Sequence, residues 1–130
     1  MVTAFYSALL GLWMVSLSVL VIKQRKSHLV SLGDGGVDEL QKARSAQGNA
    51  VEYIPITLIL MLLLEYHGGP HWLLHGAGVL FCVGRVAHAK AILSGTFKWR
   101  VSGMALTFLV ILGLAMGNLV YLPYQQIFTM

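Results

Sequence analysis

The sequence predicts an all-α integral membrane protein, a bundle of four spanning helices, and three observations carry that reading. Of its 130 residues, 57% are hydrophobic and only 11% are charged, whereas about a quarter of an ordinary soluble domain is charged. The mean hydropathy of +0.74 is positive, and a small globule has too much surface to cover with so few polar groups. The apolar residues also gather into four runs, each long enough for the roughly 20 residues that a bilayer demands. A soluble globule, a disordered segment and a disulfide scaffold are therefore excluded. The single cysteine, Cys82, lies in an apolar stretch and reads as a small buried hydrophobe.

The first span covers residues 1–22 and is followed at once by Lys23, Gln24, Arg25 and Lys26. A cleaved signal peptide carries its positive charge before the apolar region, so this run is expected to be retained. Gly33, Asp34, Gly35 and Gly36 form the turn element of the next connection. Asp38 is the expected N-cap of the second helix, with Glu39 in its first turn. The second span covers 40–66 and is broken by His67-Gly68-Gly69-Pro70. The third covers 71–93 and ends at Ser94-Gly95-Thr96. The fourth covers 101–124, with Pro123 in its last turn. The whole chain reads as one domain, with no internal repeat.

All nine basic residues favour one side of this scheme. Lys23, Arg25, Lys26, Lys42 and Arg44 border the first loop, and Arg85, Lys90, Lys98 and Arg100 border the third. The positive-inside rule places those loops in the cytoplasm and both termini on the outer, periplasmic side. The formal charge of +4 is thus explained by topology, and no nucleic-acid partner is expected.

The ionisable residues inside the spans are the next signal, because a charge at the centre of a span costs about 2.5–3.5 kcal/mol on insertion scales. Ser45, Gly48, Asn49 and Glu52 follow an i, i+3, i+4, i+7 pattern and form a polar stripe on span two. Arg85 and His88 share a face of span three, and all of these lie in the same half of the bilayer as Arg100. Pro55 has no N–H, so the carbonyl of Val51 is left without its helical donor beside Glu52. Two readings of this cluster stand: an interhelical polar link, or a pocket for a ligand. His71 and His75, four apart, have no third ligand in sight, so no metal is expected. Gly113 and Gly117 form a GxxxG pattern, a weak mark of close packing.

The run from Arg44 through Gln47, Asn49, Glu52 and Tyr53 to Pro55 closely resembles the signature of the MAPEG family, the membrane-associated proteins in eicosanoid and glutathione metabolism. Gly84-Arg85-Val86-Ala87-His88 is similar to the third-span motif of that family's prostaglandin E synthase branch. The Gly-Asp-Gly-Gly loop and the Phe97–Met104 segment look like its bacterial YecN-like subgroup. The resemblance covers essentially the whole chain. It implies a homotrimer in the bacterial inner membrane, with glutathione as co-substrate bound between adjacent subunits on the cytoplasmic side. Carried over residue by residue, it implies glutathione binding by Arg44, Gln47, Asn49, Glu52, Tyr53, Arg85 and His88, with Arg100 stabilising the thiolate. Two positions depart from the pattern. The Arg that the family carries two places before Gln47 is Ser45 here, and the synthase branch's Tyr four places after His88 is Ile92, which points away from prostaglandin chemistry.

The residue chemistry agrees in kind. Glutathione presents carboxylates, an amine and a thiol, so its site needs cations, an anion and a positive charge near sulfur. Arg44, Arg85 and Arg100 can supply the cations, and Glu52 the anion. A guanidinium near a thiol lowers its pKa, and the thiolate is the nucleophile. The expected function is a glutathione-dependent transferase or peroxidase acting on a lipophilic small molecule or lipid taken from the membrane. Two alternatives are a catalytically silent relative and a small proton-coupled transporter or lipid-binding module centred on Glu52.

Overall fold

In a computed structural model, residues 1–128 are described, and they form helices joined by short connections. These are α1 (Val2–His28), α2 (Asp38–Tyr66), α3 (His71–Ser94), α4 (Phe97–Tyr121) and a five-residue α5 (Tyr124–Phe128). The first four are each long and apolar enough to cross a membrane, and no strand occurs among the described residues. The chain is an all-α integral membrane bundle, as its composition predicts.

The helix ends refine the expected spans. α1 continues past residue 22 through the basic segment and stops at Leu29, whose left-handed backbone (φ 56°) closes the helix. Asp38 is not the cap of α2: Val37 holds that position, and Asp38 lies in the first turn, paired with Lys42 four residues on. Asp34 organises the loop before it, its Oδ1 accepting from the N–H of Gly36 at 3.0 Å. α4 starts at Phe97 and ends at Tyr121, three residues short of the expected limit. Pro123 biases Leu122 out of the helical region (ψ 132°), so Tyr124 begins a separate turn of helix.

Pro55 lies inside α2 without ending it. A membrane helix tolerates such a residue where neighbouring groups or the surrounding protein can satisfy the freed carbonyl.

The core is sealed by large apolar side chains that leave almost no surface, among them Leu10, Met61, Leu64, Leu74, Phe81 and Leu114. Most other large hydrophobics face outward, which suits lipid as the solvent. Without a hydrophobic force between helices in lipid, close contact depends on small residues. The tight crossing is between α3 and α4, at Gly84 and Gly103. A Cβ on Gly103 would sit 2.8 Å from His88 Cβ and 2.9 Å from the Gly84 carbonyl. Of the GxxxG pair only Gly117 is closely packed, a Cβ there lying 3.3 Å from a Leu64 methyl, whereas Gly113 has open space around it.

The helix ends opposite the basic loops are tied by polar groups. Glu65, at the end of α2, accepts from the N–H groups of Val2 and Thr3, so a carboxylate from one helix caps the start of another. Tyr6 crosses to α3, its hydroxyl 3.1 Å from His75 Nδ1, and its ring lies against the bare backbone of Gly78.

Gly103→Ala is expected to force α3 and α4 apart and cost about 1–3 kcal/mol, whereas Gly113→Ala leaves stability within about 0.5 kcal/mol. Thermal unfolding of both variants in the same detergent checks the difference.

Candidate functional site

The polar stripe of α2 splits in two once the helix is packed. Asn49 turns inward, where its Oδ1 accepts a short hydrogen bond from Arg85 Nη1. The other Arg85 nitrogen, Nη2, donates to Thr107 Oγ1 of α4 at 2.6 Å. Thr107 in turn donates to the Gly103 carbonyl at 2.9 Å. Arg85 is 2% exposed, and its guanidinium lies between the rings of Tyr53 (5.4 Å) and Phe81 (5.8 Å). This is an interhelical link from α2 through α3 to α4, and it does not involve Glu52. Thr107 was missed from sequence. The available signal was its place seven residues beyond Arg100, on the same helix face.

Gln41, Ser45, Gly48 and Glu52 run along the remaining face of α2. Gln41, Ser45 and Glu52 are exposed and Gly48 is half-buried. Two cavities flank the basic end of this stripe and share Gln41 and Ser45 as a common wall. One, of about 260 Å³, lies between α2, α3 and α4 and is lined by Lys42 and Arg100 as well as Ile92 and Phe97. The other, of about 490 Å³, is lined by Asp34, Arg44 and Gln47. Together they make a polar groove that curves around the start of α2, with Arg100 on one side and Arg44 on the other. The pair is in the size range of small-molecule sites, about 300–1,000 Å³. Sequence reading had credited Lys42 to topology only and had not marked Gln41 at all. Its signal was the i−4 spacing from Ser45.

The remaining site residues take distinct places. Arg44 approaches Asp34 at 3.9 Å with both side chains partly exposed, so the guanidinium stays open to the groove. Gln47 also reaches α1, its Nε2 donating to Ser18 Oγ at 3.4 Å. Tyr53 is half-buried, edge-to-face with Phe108 at 5.8 Å. His88 is buried against the Gly103 backbone, within electrostatic reach of both Arg85 and Arg100. Glu52 is exposed on the bundle surface and has no polar partner among the described residues. It lies seven residues beyond Ser45, about 10 Å deeper into the bilayer. No group of three or more His, Cys, Asp or Glu able to hold a metal occurs among the described residues.

The arrangement therefore puts Arg44, Lys42 and Arg100 around a groove at the basic end, with Asp34 near Arg44 and Asp38 paired with Lys42. A carboxylate, Glu52, stands farther along the same helix face. It can receive a small ligand carrying several anionic groups and one cationic group.

The family model whose description is "MAPEG family" matches residues 3–120 of the chain. The chain is also similar to Inner membrane protein YecN of Escherichia coli strain K12, 39% identical over 130 residues, which are 100% of this chain and 99% of the relative. The same values hold for Inner membrane protein YecN of Escherichia coli O6:H1 strain CFT073.

Arg85→Ala and Asn49→Ala should each destabilise the protein. Their double variant should cost less than the sum, because a buried group stripped of its partner carries the penalty. A coupling of about 0.5–3 kcal/mol in a double-mutant cycle is the expected readout, and strict additivity would show that the link contributes nothing.

Proposed function

Because the chain belongs to the MAPEG family, we propose that it is a membrane-bound glutathione-dependent transferase or peroxidase acting on lipophilic electrophiles. The observation that carries this reading is the polar groove around the start of α2, walled by Arg44 on one side and by Lys42 and Arg100 on the other. The cations receive the two carboxylates of glutathione, and Glu52 receives its amine. Arg100 lies beside the thiol, where a guanidinium favours the thiolate and so supplies the nucleophile. Gln47 and Ser45 line the groove as hydrogen-bonding groups. Arg85, Asn49, Tyr53 and His88 act in this scheme from behind, by holding the inward face of α2 against α3 and α4.

Chemistry then proceeds by attack of the thiolate on an apolar electrophile that reaches the groove from the bilayer. A new carbon–sulfur bond forms, and the electron pair leaves with the displaced group or settles on the acceptor carbon. With a hydroperoxide, the sulfur attacks the terminal oxygen instead, the O–O bond breaks to release the alcohol, and a second glutathione converts the resulting sulfenic acid to the disulfide with loss of water.

Glu52 also supports assembly. An unpartnered carboxylate, next to the carbonyl that Pro55 leaves without a donor, is costly against lipid. A neighbouring copy of the chain covering this face of α2 relieves both groups, and a homotrimer with the groove between subunits does so. On this reading the basic end is cytoplasmic, in the inner membrane of a bacterium, and both termini are periplasmic.

The same exposure of Glu52 favours a second reading, in which its carboxylate is the proton-coupled centre of a small transporter. A catalytically silent trimer is the third, and it would show no response to glutathione.

Glutathione at millimolar concentration is expected to raise the melting temperature of the detergent-solubilised protein, since a ligand bound only by the native state adds stability. Arg100→Ala should reduce the ultraviolet thiolate absorbance of the complex by about tenfold or more while retaining part of the binding. No stabilisation by glutathione would sink the enzymatic reading. Proton-driven efflux of a lipophilic cation, abolished by Glu52→Gln, would replace it with transport.

Separately, Glu52→Leu should remove the polar demand on that face but keep the packing of the monomer. Chemical cross-linking in membranes is expected to show trimers for the native chain, and a ladder dominated by monomer at all cross-linker concentrations would overturn the assembly.

A further inference from the structure

On the opposite side of Ala91 from the groove, α3 and α4 enclose a separate cleft of about 200 Å³, lined by Ala87, Lys90, Ala91, Ser94 and Trp99. We propose that this cleft is a binding site for the phosphate headgroup of an anionic phospholipid. Lys90, Ser94 and Trp99 hold the headgroup, and the acyl chains run along the outer face of α3.

Charge is the first argument. Lys90 is exposed and makes no ion pair among the described residues, and no acidic residue lines the cleft. Of the five acidic residues in the sequence, none lies on α3 or α4. An ammonium one turn in from the end of a span reaches toward the headgroup layer, and a basic pocket between helices at that depth suits an anionic headgroup. Ser94 adds a hydroxyl, which lies 3.0 Å from Thr96 Oγ1 at the rim. Trp99, 63% exposed, adds an amphipathic ring of the kind that settles at the membrane interface.

Shape is the second argument, and it selects a lipid over free phosphate. Counting back along α3 from Lys90 and Ala87, the same face carries Val83 and Leu80, both exposed. Leu80 belongs to a further cleft of about 260 Å³ between α3 and α4, whose walls include Leu73, Ala77, Leu109 and Val110. Gly76 and Gly113 border that cleft with open space beside them. A polar head at Lys90 is thus continuous with an apolar track toward the other end of the bundle. That is the layout of a phospholipid and not of a soluble anion.

The site is independent of the glutathione reading, since it uses neither Arg100 nor α2. Native mass spectrometry of the detergent-solubilised protein, titrated with phosphatidylglycerol and in parallel with phosphatidylcholine, tests it. The native chain is expected to retain phosphatidylglycerol preferentially. Lys90→Gln should weaken that retention about fivefold, and Lys98→Gln, a lysine at the same end that lines neither this cleft nor the groove, should leave it nearly unchanged. Equal losses in the two variants would overturn the site in favour of diffuse attraction to a basic surface. Displacement of the lipid by 10 mM inorganic phosphate (about the level of a strong buffer) would overturn the lipid assignment, because it would show an anion site indifferent to the acyl chains. Equal retention of both lipids would remove the charge argument altogether.

Discussion

The packing of the bundle depends on one buried cation. The guanidinium of Arg85 cannot be left unsatisfied in an apolar interior, because a charge stripped of its partners there is strongly destabilising. It binds Asn49 of α2 and Thr107 of α4, and it sits against the rings of Tyr53 and Phe81. Those partners come from three helices, so satisfying the cation fixes their rotation and depth relative to one another. Gly103 allows this, since a Cβ there would collide with His88 and the Gly84 carbonyl, and bare backbone at that position lets α4 approach closely enough for Thr107 to reach Arg85. α1 is attached by other means, through the cap that Glu65 places on its first turn and the seat that Gly78 offers to Tyr6.

The rotation of α2 has a direct consequence for the groove. With Asn49 committed inward, a residue three places before or after it lies about 60° around the helix, enough to leave the contact with α3. Glu52 is therefore delivered to the exposed face with Ser45 and Gln41, and it is not available to Arg85. The basic groups divide the same way. Arg85 spends both of its Nη groups inside the bundle, whereas Arg44 and Arg100 line the groove at its basic end and Lys42 does so while paired with Asp38. The polar residues of this chain thus serve two separate purposes, one inside the bundle and one on its surface.

Much of this was legible in the sequence. The four spans follow from runs of apolar residues, and the family from the Arg44–Pro55 run together with Gly84–His88. Both rest on local patterns that need no tertiary contact. The helix ends were less legible. Leu29 stops α1 by adopting a left-handed conformation that no glycine advertises, and Val37 displaces Asp38 as the start of α2. Glu65, at the end of α2, caps a helix 62 residues away in sequence, a contact that no local pattern announces. The GxxxG pattern, a weak mark, was half informative about where helices meet, since Gly117 packs on Leu64 of α2. Open space surrounds Gly113, and the close crossing uses two isolated glycines on different helices.

Composition and spacing alone determined the solvent of this protein, the number of its spanning helices, the basic end of the bundle and most of the residues that carry its polar chemistry. These are properties of single segments, set by the length of an apolar run or the period of a helix. Only the tertiary structure decided which polar groups face each other. Asn49 and Glu52 are neighbours on a helical wheel and both read as one stripe. A choice between them requires knowing which side of α2 meets α3, and that is set by the crossing of Gly84 and Gly103 and by the demand of Arg85 for partners. Helical periodicity groups residues by face. It carries no information about what each face will touch, because that depends on side chains from other helices.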